Sequence, residues 1–320
     1  MVNYLGFPVQ NNLFLAPMAG VTDRPFRKLC KKLGAGIAVS EMVHANSLLY
    51  GSKKTRKRID HTGEISPKIV QLVGADAELL AQAAKHNVEM GAEIIDFNMG
   101  CPVKKICNVS AGSALMKDIA LVEKILTAIR HAVKVPVTLK MRTGWDYNNK
   151  NALQIAFLAE KIGINAITIH GRTRSDLYNG NAEYHTISEV KKNVRIPIIA
   201  NGDINSAIKA KQVLEQTNAD GIMIGRWAQG QPWIFAEIVE YLKTGKLPPP
   251  PSKLQIFDWL SEHLEELYSF YGITDGVKIA RKHIGWYAKG IPNATTFRSQ
   301  LNQIVEIELQ RKCIRNFFLN

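Results

Sequence analysis

Eight short apolar runs recur along the 320 residues, at 13–18, 36–42, 68–74, 93–100, 136–142, 166–172, 196–204 and 221–226, and each ends in Gly, Pro or a polar cluster. Between them, stretches such as 118–133 and 151–162 carry apolar residues at helical spacing. Strands separated by helices pair in parallel, because a parallel neighbour is reached only through a crossover. Eight such units predict an α/β fold, a (β/α)8 TIM barrel. The ends of the runs hold most of the Lys, His, Asn, Gln and Arg that sit in apolar context. In a barrel of this type those ends form the face that carries chemistry.

The chain is longer than a barrel requires, and the segment TGKLPPPPSK at 244–253 marks the seam. Consecutive prolines lack backbone donors and resist both helix and sheet. The expected organisation is a catalytic barrel over 1–243, a proline-rich linker over 244–253 and a small all-helical C-terminal domain over 254–320. Amphipathic helices are expected at 257–271 and 276–289, with a third from about Phe297 onward.

The net charge of +13 favours a polyanionic partner, RNA or DNA. After Asp275 there are eight Lys or Arg against two Glu, and Lys53, Lys54, Arg56, Lys57 and Arg58 form a second basic run. The four cysteines, at 30, 101, 107 and 313, contain no CxxC pair, which argues against a disulfide framework or a metal site and for a reducing, cytoplasmic setting. The amino terminus has neither the charged nor the apolar region of a signal peptide, and no apolar stretch reaches membrane-spanning length.

Strand parity tells which way each polar residue points. Lys140 and Arg142 share one face of their strand, as do His170 and Arg172; Gln71 lies between Val70 and Leu72, and Asp96 and Asn98 alternate with Ile95 and Phe97. Burying an unpartnered amide costs roughly 2–7 kcal/mol, so these groups call for a polar ligand at the barrel mouth. Asn201-Gly202-Asp203 ends the seventh strand and Gly225-Arg226 the eighth, where barrels of this type hold phosphate. A phosphate there, a cation from Lys140 and an amide from Gln71 meet the needs of FMN, with Lys140 at the N1/O2 edge of the ring and Gln71 at its pyrimidine edge. The turn Ala16-Pro17-Met18-Ala19-Gly20 would pack against that ring. Cys101, following Asn98-Met99-Gly100, brings a thiol to the same mouth, whereas Cys107 lies toward the next helix and reads as structural.

With these residues the chain closely resembles the tRNA-dihydrouridine synthases, and among them the bacterial B-type. The resemblance is carried by LAPMAGVTDRPFR at 15–27, QLVG at 71–74, FNMGCPVKK at 97–105, AGSALMKD at 111–118, TLKMRTGWD at 138–146, TIHGRTR at 168–174, IIANGDI at 198–204, GIMIGRWAQGQPWIF at 221–235 and RKHIGWYAKG at 281–290. It implies FMN-dependent reduction of the C5–C6 double bond of a uridine in the tRNA D-loop, at the seventeenth nucleotide, with NADPH as reductant. Cys101 would be the general acid that protonates C5. FMN contacts fall on Pro17, Met18, Ala19, Gln71, Lys140, Asn201, Gly202, Asp203, Gly225 and Arg226, with His170 also touching the flavin. Uracil recognition falls on Asn98, Arg142 and His170, and Lys104, Lys105, Arg172, Arg174 and the basic tail helices are expected to grip the RNA backbone. The free protein is expected to be a monomer. The competing readings are an FMN barrel acting on a free pyrimidine, which has no use for a basic tail, and a non-catalytic tRNA-binding protein, which has no use for Cys101, Lys140 and His170.

Overall fold

The computed structural model describes residues 1–46 and 53–319. Its main sheet is parallel. The strands are β3 (Leu13–Leu15), β4 (Ile37–Ala38), β5 (Val43–His44), β6 (Ile69–Val73), β7 (Ile94–Met99), β8 (Val137–Arg142), β9 (Ala166–His170), β10 (Ile198–Asn201) and β11 (Gly221–Ile224). Parallel pairing runs from β6 through β11, then to β3 and β4, and a bridge between Val39 and Ile69 returns it to β6 and closes the barrel. The run at 36–42 was expected to be one strand. It is instead β4 with a bridge at Val39 and an irregular segment over 40–42, and β5 is added beyond it on the end of β6.

The sequence also starts the intervening helices. Asp23, Asp76, Asp118 and Ser206 each accept a hydrogen bond from the backbone N–H three residues on, capping the helices Arg24–Lys32, Ala77–Glu89, Ile119–Ala132 and Ala207–Thr217. Helical faces and the outward strand residues Leu72, Phe97, Leu139, Met141, Ile167 and Ile169 make one continuous core. A second cluster fills the barrel with Phe14, Ile37, Ile69, Ile94, Ala166, Ile199 and Met223. Tyr4 and Val9 belong to it as well, from a hairpin, β1 (Val2–Tyr4) and β2 (Phe7–Val9), that plugs the N-terminal end of the barrel. The sequence pattern shows this hairpin only through Gly6, because its two-residue turn places Leu5 at φ 53°.

Past the prolines, the first tail helix, Lys253–Tyr271, starts earlier than its apolar periodicity suggests because Ser252 and Gln255 form a capping box. The second is Ile273–Tyr287. The expected third helix is two, Ala294–Gln303 and Ile307–Leu319, broken where Ile304 turns extended and gives its carbonyl to Arg281. The four helices share a core of their own that includes Leu260, Leu264, Ile284, Phe297, Leu301, Ile314 and Phe318.

The tail is docked on the helix Arg24–Lys32. Lys28 pairs with Glu266 and Lys32 with Glu262, Tyr271 donates to Asp23, and Phe26 lies against the rings of His263 and His283. Gly230 permits the approach from the other side, since a Cβ there would stand 2.5 Å from the backbone of Trp286. Trp286 packs against the barrel core and Tyr287 belongs to the tail core, so both line this seam.

Burial and nearby Lys282 hold His263 down at about 3, and burial and His263 hold His283 well below the ordinary histidine range. Because the folded values lie below the unfolded one, these rings contribute stability that is complete above about pH 6.5 and is lost as pH falls. Asp23, raised to about 6 mainly by burial, acts in the opposite sense below that pH. Chemical denaturation at pH 7.5 and 5.5 is therefore expected to show a smaller loss in His263→Phe than in the wild type.

Candidate active site

Cross-strand register brings the polar residues together. Gln71 lies opposite Asp96, Asn98 opposite Lys140, Arg142 opposite His170, and His170 opposite Asn201. All point inward toward the C-terminal ends of the strands, and all but Asp96 border a cavity of about 410 Å³. Its wall includes Pro17, Met18, Ala19, Gln71, Asn98, Cys101, Lys140, Arg142, His170, Asn201, Gly202, Asp203, Gly225 and Arg226. Met42, Tyr178, Trp227 and Gln229 also border it and were not anticipated from sequence. Tyr178 is half-exposed, with its ring 4.7 Å from the Arg226 guanidinium and 5.5 Å from that of Arg142. It sits in the loop after β9, where no local pattern says which of many polar residues folds back over the mouth.

Lys140 is buried and donates to Asn201 Oδ1 at 3.2 Å, and burial together with Arg142 lowers it to about 8. Burial, then Lys140 and the surrounding arginines, holds His170 neutral. The Cys101 thiol is pushed up, because burial outweighs a Val103 backbone hydrogen bond and the cations Arg142 and Lys140. Its backbone N–H donates to Asn98 Oδ1 at 3.0 Å, and its carbonyl accepts from Ser113 N and Oγ. Cys107 Sγ also reaches that carbonyl, at 3.6 Å, so this cysteine supports the loop.

Several expected contacts take a different form. Arg172 was expected on the RNA backbone, but it is buried and its guanidinium is consumed by Asp203 at 2.9 and 2.6 Å and by the carbonyls of Asn179 and Gly180. The Asp203 carboxylate, expected at FMN, faces Arg172, Arg226 and the Ala182 N–H, so what it offers a phosphate is the orientation of Arg226. Arg142 gives Nε to Gly100 O and Nη1 to the carbonyls of Thr173 and Leu177, clamping the Cys101 loop to the loop after β9. Gly202, at φ 128°, leaves no room for a side chain, since a Cβ would lie 2.7 Å from Ala182 Cβ and 3.1 Å from His170 Cδ2.

Lys104 and Lys105 are exposed beside the cavity, and Arg174 lies over Trp145 at 4.6 Å. In the basic run, Lys57 donates to Phe270 O and Arg58 pairs with Glu41, so both are spent inside the protein; the side chains of Lys53, Lys54 and Arg56 lie outside what is described. In the tail, Lys282 reaches Gly20 O and Arg311 pairs with Glu265, whereas Lys278, Lys289, Arg298, Lys312 and Arg315 are exposed. Among the described residues no group of three or more His, Cys, Asp or Glu is placed to hold a metal ion, and no helix is long and apolar enough to cross a membrane.

A family model described as dihydrouridine synthase (Dus) matches residues 14–319. The chain belongs to the dihydrouridine synthase family. It is 55% identical over 312 residues to the tRNA-dihydrouridine synthase B of Pseudomonas aeruginosa, covering 98% of this chain and 94% of that one. It is 51% identical over 314 residues to the protein of the same name from Vibrio parahaemolyticus, covering 98% of each. With that of Proteus vulgaris the identity is 50%, over 98% of this chain and 97% of the other. Dihydrouridine is uridine reduced at C5–C6, so this dihydrouridine synthase is an oxidoreductase, and the barrel mouth is where its chemistry belongs.

Proposed function

We propose that this enzyme reduces the C5–C6 bond of a uridine in the D-loop of tRNA, at the seventeenth nucleotide, using FMN reduced by NADPH. The observation that carries the proposal is a thiol kept protonated by burial on the wall of a cavity that is also lined by a buried ammonium, amides and the Gly202, Gly225 and Arg226 strand ends. That donor set fits FMN. Lys140 and Gln71 would hold the ring, the turn Pro17-Met18-Ala19 would pack on it, and Asn201, Gly202, Gly225 and Arg226 would hold the phosphate, with Asp203 orienting Arg226. The chemistry a bound flavin supplies is hydride for uracil C6. Cys101 gives its proton to C5, and Arg142 and Lys140 stabilise the thiolate that remains until solvent reprotonates it. Neutral His170 and Asn98 hydrogen-bond the uracil edge without adding charge.

A uridine must leave its stack to enter such a cavity, so the protein must also grip phosphates around it. We assign that grip to Lys104, Lys105, Arg174 and the exposed tail cations. Support comes from the names of the relatives and from the basic balance after Asp275. The decisive test is dihydrouridine mapping in tRNA from a strain lacking the protein. Loss confined to one D-loop nucleotide is expected, and an unchanged map overturns the reading. Flavin released from the purified enzyme should have the mass of FMN.

Two cavity residues are expected to separate in flavin titrations of the stripped protein. Arg226→Ala should weaken FMN binding by about 1.5 kcal/mol, the low end for a charged hydrogen bond, because Arg226 is half-exposed. Lys140→Ala should in addition slow flavin reduction by NADPH, and excess FMN should not restore the rate, since the missing charge is one that faces the ring.

A further inference from the structure

Beneath the candidate catalytic residues, a continuous hydrogen-bond chain runs from the barrel interior to the Cys101 loop. Thr138 Oγ1 donates to Asp96 Oδ1 at 2.6 Å, and Gln71 Nε2 donates to Asp96 Oδ2 at 2.7 Å. Asn98 Nδ2 then donates to Gln71 Oε1 at 2.8 Å. Asn98 Oδ1 accepts from the N–H groups of Gly100 and Cys101 at 3.1 and 3.0 Å. Asp96 and Gln71 are almost completely buried, and each link joins residues brought together by strand register or by the turn that leaves β7.

Amides can flip, and a flipped chain would place oxygen against oxygen. Burial raises Asp96 to about 6, and above that pH its carboxylate cannot donate, so the Gln71 NH2 must face Asp96 and its oxygen must face the Asn98 NH2. The Asn98 oxygen is then left for the loop N–H groups. We propose that Asp96 is a positioning residue that sets the polarity of this amide chain and thereby holds the Cys101 loop in its reactive pose. Asp96 does not border the cavity, and it acts through Gln71 and Asn98. The proposal rests on Cys101 being the proton donor, and its consequence for the loop can be read without turnover.

The test is alkylation of Cys101 by iodoacetamide in the full-length enzyme, followed by peptide mass spectrometry, with deeply buried Cys30 as the folding control. In Asp96→Leu the Gln71 amide loses its acceptor, and Cys101 should react about tenfold faster as the loop opens locally, with Cys30 protected. In the same variant kcat on tRNA should fall about 100-fold with KM unchanged, the loss that a misplacement of about 1 Å can cause. Asp96→Asn should recover most of both effects, because its oxygen can face Gln71 while its NH2 donates to the Thr138 oxygen. Unchanged Cys101 reactivity in Asp96→Leu with Cys30 protected overturns the proposal, and so does an Asn variant as impaired as the Leu variant. If Cys30 becomes reactive in Asp96→Leu, Gln71→Met decides the matter by cutting the chain one link further on. Faster Cys101 alkylation there supports the proposal, and wild-type reactivity overturns it. Full turnover by Cys101→Ala would instead remove the reading of Cys101 and leave the alkylation result intact.

Discussion

Cys101→Ala is expected to bind FMN and accept electrons from NADPH as the wild type does, while its single-turnover yield of dihydrouridine on tRNA falls by about 10²–10⁴-fold. The flavin contacts proposed above lie on other strands, and alanine removes only the thiol. The size of the loss follows from the state of that thiol. Burial keeps it protonated, so it serves as an acid and needs no base to prepare it. Cys107→Ala should be nearly neutral by comparison, because the Cys101 carbonyl keeps its bonds from Ser113 N and Oγ. Equal losses in the two variants would show that the loop, and not the proton, is what Cys101 supplies. Wild-type yield from Cys101→Ala would end the assignment.

Cutting the chain at Pro249 is expected to abolish tRNA binding and also to leave a barrel that aggregates. A proline seam between two units would leave a soluble barrel only if the units folded independently. The structure argues otherwise, because truncation uncovers Phe26, removes the Tyr271 hydroxyl from buried Asp23 and strips Glu262 and Glu266 from Lys32 and Lys28. An exposed apolar face of this kind lowers solubility. The RNA grip is therefore better measured in the whole chain. Changing exposed Lys278, Lys289, Arg298, Lys312 and Arg315 to Gln should leave the fold intact and reduce tRNA affinity, with the salt slope falling by roughly 0.7–0.9 for each phosphate that is no longer neutralised. Unchanged affinity and slope in that variant would exclude the tail as the grip.

The barrel and most of its cavity were legible in the one-dimensional pattern because both rest on short-range periodicity. Alternation put Lys140 and Arg142 on one face of their strand and Leu139 and Met141 on the other, and the structure keeps that division. Run endings located Gly202, Gly225 and Cys101 for the same reason, since loops that leave parallel strands share one end of the barrel. What the pattern could not carry is which polar group satisfies which. Arg172 reads like Arg174 in sequence, yet it meets Asp203 at the end of the neighbouring strand and is buried, an outcome that depends on the meeting of two strand ends 31 residues apart. Lys57, Lys282 and Arg311 look like free cations in a basic run until distant parts of the chain supply Phe270 O, Gly20 O and Glu265. Asp96 is one inward polar residue among several until register sets it between Gln71 and Thr138. Local spacing dictates the direction of a side chain, whereas its partner, and hence its charge state and role, follows from long-range register and docking.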